Sequence, residues 1–582
     1  AFASSFTGKF VYDDINAITA NPHIRTVFPL SQTFNAPENS TVRDRPLVSL
    51  TLALNYASGK LEPFGYHLFN LIVHILAGWT LFGILRRTLM NTVLPLRFNR
   101  SATGLALSAS LLWIVHPIQT ESVTYIIQRS ESLAGLFYLA VLYCFIRGER
   151  SSRRLSWLVL SVIFCALGMA TKPTLITVPI TVFFYDAIFF CRSFIQALKK
   201  NWRYYSALIA TFFIQAVLIS RTGYGDIKGL SPLLYLLTQP EVIVNYIKTA
   251  VIPHSLCFDY GWPLVDTAGR VILPAIFIGA LLWLSLYMLY KKRPTGFLGA
   301  WFFLILVPTS SILPLEDPAA EHRLYLSLAS LTTLAVIAVF ELTEKIKIPR
   351  RKNRLRIIIF LVTGAILITM TYRRNLLYQN PAALWTDVVT KRPRHPRGFY
   401  NLGVELTKLE KKEEALRNYR RALELRPDYA DAHNNLGSIL NEEGAYRQAI
   451  AHFGKTLRIN PFFWQARFNM GNAFYQLGKY REAAVCFQEV SRLQPDYHPA
   501  SFQTGEALFR SGRRNQSLPF YRKALSASPD YAPQIYNRGV ELFNSGRKET
   551  AGAVFRIILE NQPGYTPARR ALDLIGKEFK DN

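Results

Sequence analysis

Cysteine is scarce in this chain of 582 residues: Cys144, Cys165, Cys191, Cys257 and Cys486 are scattered, and no two stand in C-x-x-C spacing. Neither a disulfide framework nor a zinc site follows from such a distribution. Acidic residues are also few, 39 against 67 Lys and Arg, for a formal net charge of +28. A surplus of that size invites a nucleic-acid reading, yet no basic stripe is interleaved with aromatics, so nucleic acid is not an expected partner. Internal duplication of the apolar segments and paired interrupted helices are missing too, which leaves a transporter reading without its usual support.

What the chain does have is apolar residues, half of the total, and more length than one domain needs. Long apolar runs fall at 64–85, 102–116, 131–147, 155–170, 174–190, 204–220, 271–290, 297–313, 324–341 and 355–372. We expect about ten membrane spans over residues 1–372. Basic clusters follow on alternate loops, including Arg86/Arg87/Arg97/Arg100, Arg147/Arg150/Arg153/Arg154, Lys291/Lys292/Arg293 and the run Lys345 to Arg356. The positive-inside rule assigns these loops to the cytosol. The opposite loops, the long first one (1–62) and everything after Arg373 are then extracytoplasmic: on the periplasmic side of a bacterial inner membrane, or in the lumen of the endoplasmic reticulum in a eukaryote. The opening Ala1–Phe6 reads as the exit of a cleaved signal or of a further spanning helix, which would be the eleventh. Asn39-Ser40-Thr41 and Asn515-Gln516-Ser517 on the outer side have the Asn-x-Ser/Thr form of N-glycan acceptors, a triplet that is also common by chance.

The C-terminal third repeats every 34 residues. Gly403, Gly437, Gly471, Gly505 and Gly539 form one ladder; Tyr419, Phe453, Phe487, Tyr521 and Phe555 a second; Pro427, Pro461, Pro495, Pro529 and Pro563 a third. The period and its residues resemble the tetratricopeptide repeat. Gly lets two helices approach, the aromatic fills the seam, and Pro ends the second helix. Residues 396–565 are therefore expected to be five repeats, 566–582 a capping helix, and 373–395 a linker. The fold expected is all-α, a polytopic helix bundle followed by an α-solenoid. Asn401, Asn435, Asn469 and Asn537 recur two residues before the glycines, with Gln503 in the remaining copy. Such amides suit either an acceptor peptide's backbone or a structural bond between repeats, and both readings stay open.

The outer loops of the membrane part hold charged and polar residues close to apolar runs, where each is costly unless it meets water, a ligand or a partner. Asp13 and Asp14 lie in Phe10–Ile18. Arg45 precedes Pro46, and the apolar-rich stretch Leu47–Tyr56 is suited to an interfacial helix. His67, Asn70 and His74 share one helix face, for which packing between helices is the simpler reading than a metal site. His116 and Glu121, Arg129, Lys172, and Glu321-His322-Arg323 with Tyr325 complete the set. Residues 232–252 are moderately apolar but contain Gln239, Glu241 and Lys248, which fits an interfacial or re-entrant helix better than a span.

Together, Phe10-Val11-Tyr12-Asp13-Asp14 with Asn21-Pro22, Arg45-Pro46 before Gly65-Tyr66-His67-Leu68-Phe69-Asn70, His116-Pro117 with Thr120-Glu121, Lys172, and Glu321-His322-Arg323-Leu324-Tyr325 resemble the transmembrane-and-tetratricopeptide-repeat family of O-mannosyltransferases, which are GT-C class glycosyltransferases. The shorter chain and five repeats suggest a prokaryotic relative. The resemblance implies transfer of a sugar, typically mannose, from a polyprenyl-phosphate carrier to Ser or Thr of a protein. On that reading Asp13 or Asp14 takes the proton of the attacking hydroxyl, with inversion at the anomeric carbon. Arg323, Arg129 and Lys172, helped by His322 and Tyr325, receive the leaving phosphate. Arg45, His67, His116, Glu121 and Glu321 support the site, and the repeats with their Asn ladder recruit the acceptor. No cofactor is required; a divalent metal is the less favoured variant. A non-catalytic repeat scaffold and a lipid-linked sugar transporter are the rival classes.

Overall fold

The computed structural model describes residues 1–37, 40–220, 231–311 and 313–578; Asn39 of the first acceptor triplet, ten residues of the 221–270 loop and the end of the capping helix lie outside them. The described residues are helical with no strand, and they divide into two compact units, Ala1–Pro393 and Arg394–Asn582.

In the first unit each of the ten apolar runs overlaps a helix, but the helices are of unequal reach. Six are long and apolar enough to cross a membrane: Pro63–Leu89, Ile126–Gly148, Phe194–Ser220, Ala268–Tyr290, Glu321–Glu344 and Pro349–Leu377. Three others, Arg154–Met169, Pro173–Phe189 and Pro294–Leu306, are apolar but short. Leu96–Ile114 has 19 residues and opens on Arg97 and Arg100. Proline stands in the first turn of many of these helices, as at Pro46, Pro63, Pro232, Pro294 and Pro349, where its lack of an N–H costs nothing. Leu47–Tyr56 lies within helix Pro46–Gly59, which packs inward through Val48, Leu52 and Ala53. Residues 232–252 form the helix Pro232–Val251, which buries Tyr235, Gln239, Val242 and Tyr246.

The first loop is a packed layer. Val11, Ala17, Ile18, Ile24, Val42, Val48 and Leu52 share a core with Tyr66, Tyr125–Ile127, Tyr378 and Leu384. The stretch expected as a linker belongs to it: helix Pro381–Lys391, capped by the Asn380 side chain, buries Leu384, Trp385 and Val388. This core holds residues 10–18 in place.

The second unit is five helix pairs, from Pro396–Lys408 with Lys412–Leu425 to Ala532–Asn544 with Lys548–Asn561, and a final helix Thr566–Glu578. The ladders do what their residue types require. A Cβ on Gly403, Gly437, Gly471, Gly505 or Gly539 would come within 2.4–2.8 Å of the aromatic ring of the same repeat. The turn between the two helices of a pair uses a left-handed residue, Gly444, Gly478, Gly512 and Gly546 in four repeats and Glu410 (φ +59°) in the first.

Candidate functional site

The acidic pair is split by the backbone. Tyr12 holds a left-handed conformation (φ +47°), rare for a bulky residue, and a short helical turn Ile15–Thr19 follows. The turn drives Asp14 inward, with no exposed surface, where one carboxylate oxygen accepts the Val11 amide (3.0 Å) and the other the Ile127 amide (2.8 Å). Burial outweighs these two bonds and pushes its carboxyl up to about 8. Asp13 stays half-buried. Its amide donates to the Tyr125 hydroxyl at 3.0 Å, and that hydroxyl donates to the Asp13 carboxylate. Burial, reinforced by the charges of Asp13 and Asp14, holds the Tyr125 phenol well above its ordinary range.

Next to this pair is the start of helix Arg129–Gly148, where three consecutive side chains diverge. Arg129, fully buried, donates to Asn55 Oδ1 (2.7 Å), Thr51 Oγ1 (3.3 Å) and the Tyr66 carbonyl (3.2 Å), and covers the Phe69 ring. Ser130 Oγ accepts from Arg45 (3.1 Å). Glu131 pairs with Lys172. Burial lowers the Lys172 ammonium despite Glu131 beside it.

His322 faces this second group, within electrostatic reach of Lys172, Glu131, Arg323 and Arg45. Its ring is set by Glu121, whose carboxylate meets Nδ1 at 2.7 Å and the His322 amide at 3.1 Å. A proton on Nδ1 for that bond makes Nε2 the acceptor nitrogen. Burial raises the Glu121 carboxyl to about 7, against the pull of Arg374 and the amides.

The remaining candidates serve the interior. Arg323 was expected to bind phosphate, but its guanidinium donates to the carbonyls of Thr309 (3.3 Å), Pro318 (2.9 Å) and Asp317 and to the Tyr235 hydroxyl, so it ties down its own loop. Tyr325 is buried against Gly135 and bonds His74 Nδ1 at 2.9 Å. His116 meets the Ala250 carbonyl (3.1 Å) and His67 that of Gly8 (3.3 Å). Asn70 donates to the carbonyls of Val123 and Ile126, so His67, Asn70 and His74 reach three different neighbours, as helix packing requires. Glu321 accepts from the Cys257 amide, Tyr260 and Arg374 (2.7, 2.8 and 2.5 Å). Tyr125 and Arg374 were not singled out from sequence. Arg374 stands two residues after the last apolar run, and Tyr125 four residues before Arg129, so position carried a signal that residue type did not.

On the solenoid, Asn435 donates to Tyr400 (3.3 Å) and Asn469 to Ser438 (3.2 Å), each in the preceding repeat. Two of the four ladder amides thus bond between repeats. The buried Asn401 amide nitrogen has no partner among the described residues, and Asn537 is exposed.

Family models described as tetratricopeptide repeat match residues 430–463 and 468–532, and one described as TPR repeat matches 403–440. The chain is 26% identical over 451 residues to the Protein O-mannosyl-transferase F38B6.6 of Caenorhabditis elegans, covering 74% of this chain and 61% of that protein. Protein O-mannosyl-transferase Tmtc3 of Drosophila melanogaster (25%; 73% and 54%) and TMTC1 of Homo sapiens (26%; 74% and 54%) are similar to it in the same way. Coverage of about three quarters exceeds what the repeats alone could supply, so the likeness extends into the membrane unit. The chain spans 54–61% of the length of these relatives. Among solved structures, YrrB, titled a TPR protein with an unusual peptide-binding site, is 24% identical, with 33% of this chain and 98% of that one covered at a TM-score of 0.29.

Proposed function

We propose, from a chain homologous to protein O-mannosyl-transferases through much of its membrane unit, that it is a GT-C type glycosyltransferase. It moves a sugar, mannose in the first instance, from a polyprenyl-phosphate carrier to Ser or Thr of a protein, on the extracytoplasmic face. The observation that carries the reading is the divergence at Arg129-Ser130-Glu131. One helical turn links the acidic pair to two cationic side chains, Arg45 and Lys172, with the His322 ring beside them.

Asp13, the half-buried member of the pair, accepts the proton of the acceptor hydroxyl. The hydroxyl oxygen attacks the anomeric carbon as the bond to the phosphate oxygen breaks, and the electron pair leaves on the phosphate. Inversion follows from a single displacement. Asp14, held by two amides, and Arg129 position the Asp13 loop. Lys172 and Arg45 offset the charge that develops on the phosphate, which replaces the assignment of that role to Arg323 and Arg129, and the His322 ring lines the same site. A lipid phosphate is already a good leaving group, so this chemistry needs neither a second acid nor a metal. The repeats recruit the acceptor, Asn537 being the exposed ladder amide placed to bind its backbone.

The test is transfer of labelled sugar from polyprenyl-phosphate mannose by membranes containing wild type, Asp13→Asn or Lys172→Gln. Asp13→Asn is expected to lower kcat at least about a hundredfold. Lys172→Gln is expected to weaken donor use. Wild-type rates in Asp13→Asn would overturn the assignment.

A further inference from the structure

A second membrane-facing feature lies far from these residues. Helices Leu96–Ile114, Leu324–Glu344 and Pro349–Leu377 enclose a groove of about 530 Å³. Its walls are aliphatic and aromatic, including Leu105, Leu112, Val336, Val339, Ile357 and Phe360, and its floor is opened by Gly104, where a Cβ would meet no atom within 4 Å. Polar groups gather at one end, where Arg100, Asn353 and Arg356 line the mouth.

The charges at that mouth do not balance. Arg356 is committed to Glu344 (2.7 Å), Thr343 and the Phe340 carbonyl, and Lys352 to the other Glu344 oxygen (2.8 Å). Arg97 pairs with Glu341 at 3.0 Å. Arg100 is exposed and has no hydrogen bond or ion pair among the described residues, and Asn353 beside it is exposed too. Arg351 and Arg354 add exposed positive charge in the same turns. An apolar slot with an uncompensated cation at its mouth matches a hydrocarbon chain ending in a phosphate.

We propose that this groove is a binding site for an anionic phospholipid, its acyl chain between the three helices and its phosphate on Arg100 and Asn353. The sugar donor does not fit here. Arg356 and Arg374 mark opposite ends of one helix, about 27 Å apart at 1.5 Å per residue, and Arg374 bonds Glu321 beside the His322 group. A donor phosphate held at Arg100 would lie a membrane's width from Asp13.

Native mass spectrometry of the purified full-length protein, with dioleoyl phosphatidylglycerol, dioleoyl phosphatidylcholine or polyprenyl phosphate added in detergent, tests the proposal. Wild type is expected to retain phosphatidylglycerol severalfold over phosphatidylcholine and to gain thermal stability from it. Arg100→Gln should abolish the preference without loss of fold, and Gly104→Phe should reduce retention of both lipids by filling the floor. Equal retention of the two phospholipids by wild type, an unchanged preference in Arg100→Gln, or stronger retention of polyprenyl phosphate that Arg100→Gln removes would each overturn it.

Discussion

Replacing Asp14 by Asn keeps the side chain's shape but turns one of its two acceptors into a donor. Both oxygens face backbone N–H groups, of Val11 and Ile127, so the new amide opposes one of them inside a buried site. The expected cost is about 1–3 kcal/mol, read as a lower Tm of the detergent-solubilised protein. Asp13→Asn is expected to leave Tm within experimental scatter, so that activity lost there is chemical and activity lost at Asp14 is structural. Glu121 supplies a pH test. Its carboxyl is raised by burial from 4.5 to about 7, so the folded state holds a proton that the unfolded chain has released. Stability from this group is complete below about pH 4.5 and is lost as pH rises through about 7. Glu121→Gln does not titrate, and the fall of Tm across that window should be shallower than in wild type. The sequence made the unusual residues visible but not their bonding. Arg323 and Arg129 stand out by charge next to apolar runs, and only the folded loops show that their guanidinium groups donate to carbonyl, amide and hydroxyl oxygens of the protein itself.

Helices were more legible than their roles. The 34-residue period locates five repeats because glycine and aromatic meet in each, and the structure supplies the contact that makes substitution costly. Gly471→Ala would place a methyl 2.7 Å from the buried Phe487 ring, an overpacking worth about 1–3 kcal/mol. The first repeat departs from the others: Glu410 occupies the left-handed turn position that glycine fills in the next four. Glu410→Gly is expected to stabilise the protein by about 1 kcal/mol, observed as a higher denaturant midpoint of the first repeat by hydrogen exchange. In the membrane unit, hydropathy found every apolar helix. It did not distinguish the six long ones from those too short to cross alone, because length depends on where capping and proline end a helix. Nor did it show that residues 381–391, polar on one face, bury Trp385 on the other.

At the scale of the chain, the alternation of charged loops makes a claim about sidedness that labelling can check. A membrane-impermeant thiol reagent should reach Lys60→Cys and Val485→Cys from one side of sealed vesicles and Arg351→Cys from the other, all three positions being exposed or partly exposed. Labelling of all three from one side would contradict the assignment. The N-terminal residues are fastened to the distal end of the last apolar helix: the Asn375 side chain donates to the Ala1 carbonyl (3.2 Å), Gln379 to Ser4 (2.8 Å) and Thr7 (2.7 Å), and the Lys9 amide to Tyr378 (3.1 Å). The segment bearing Asp13 therefore has no surface to seat it until the far end of this helix has been made. A polypeptide cut short of that helix could hold every acidic and basic group of the proposed reaction and still leave the Asp13 segment unseated, so the last apolar helix doubles as the clasp of the first loop.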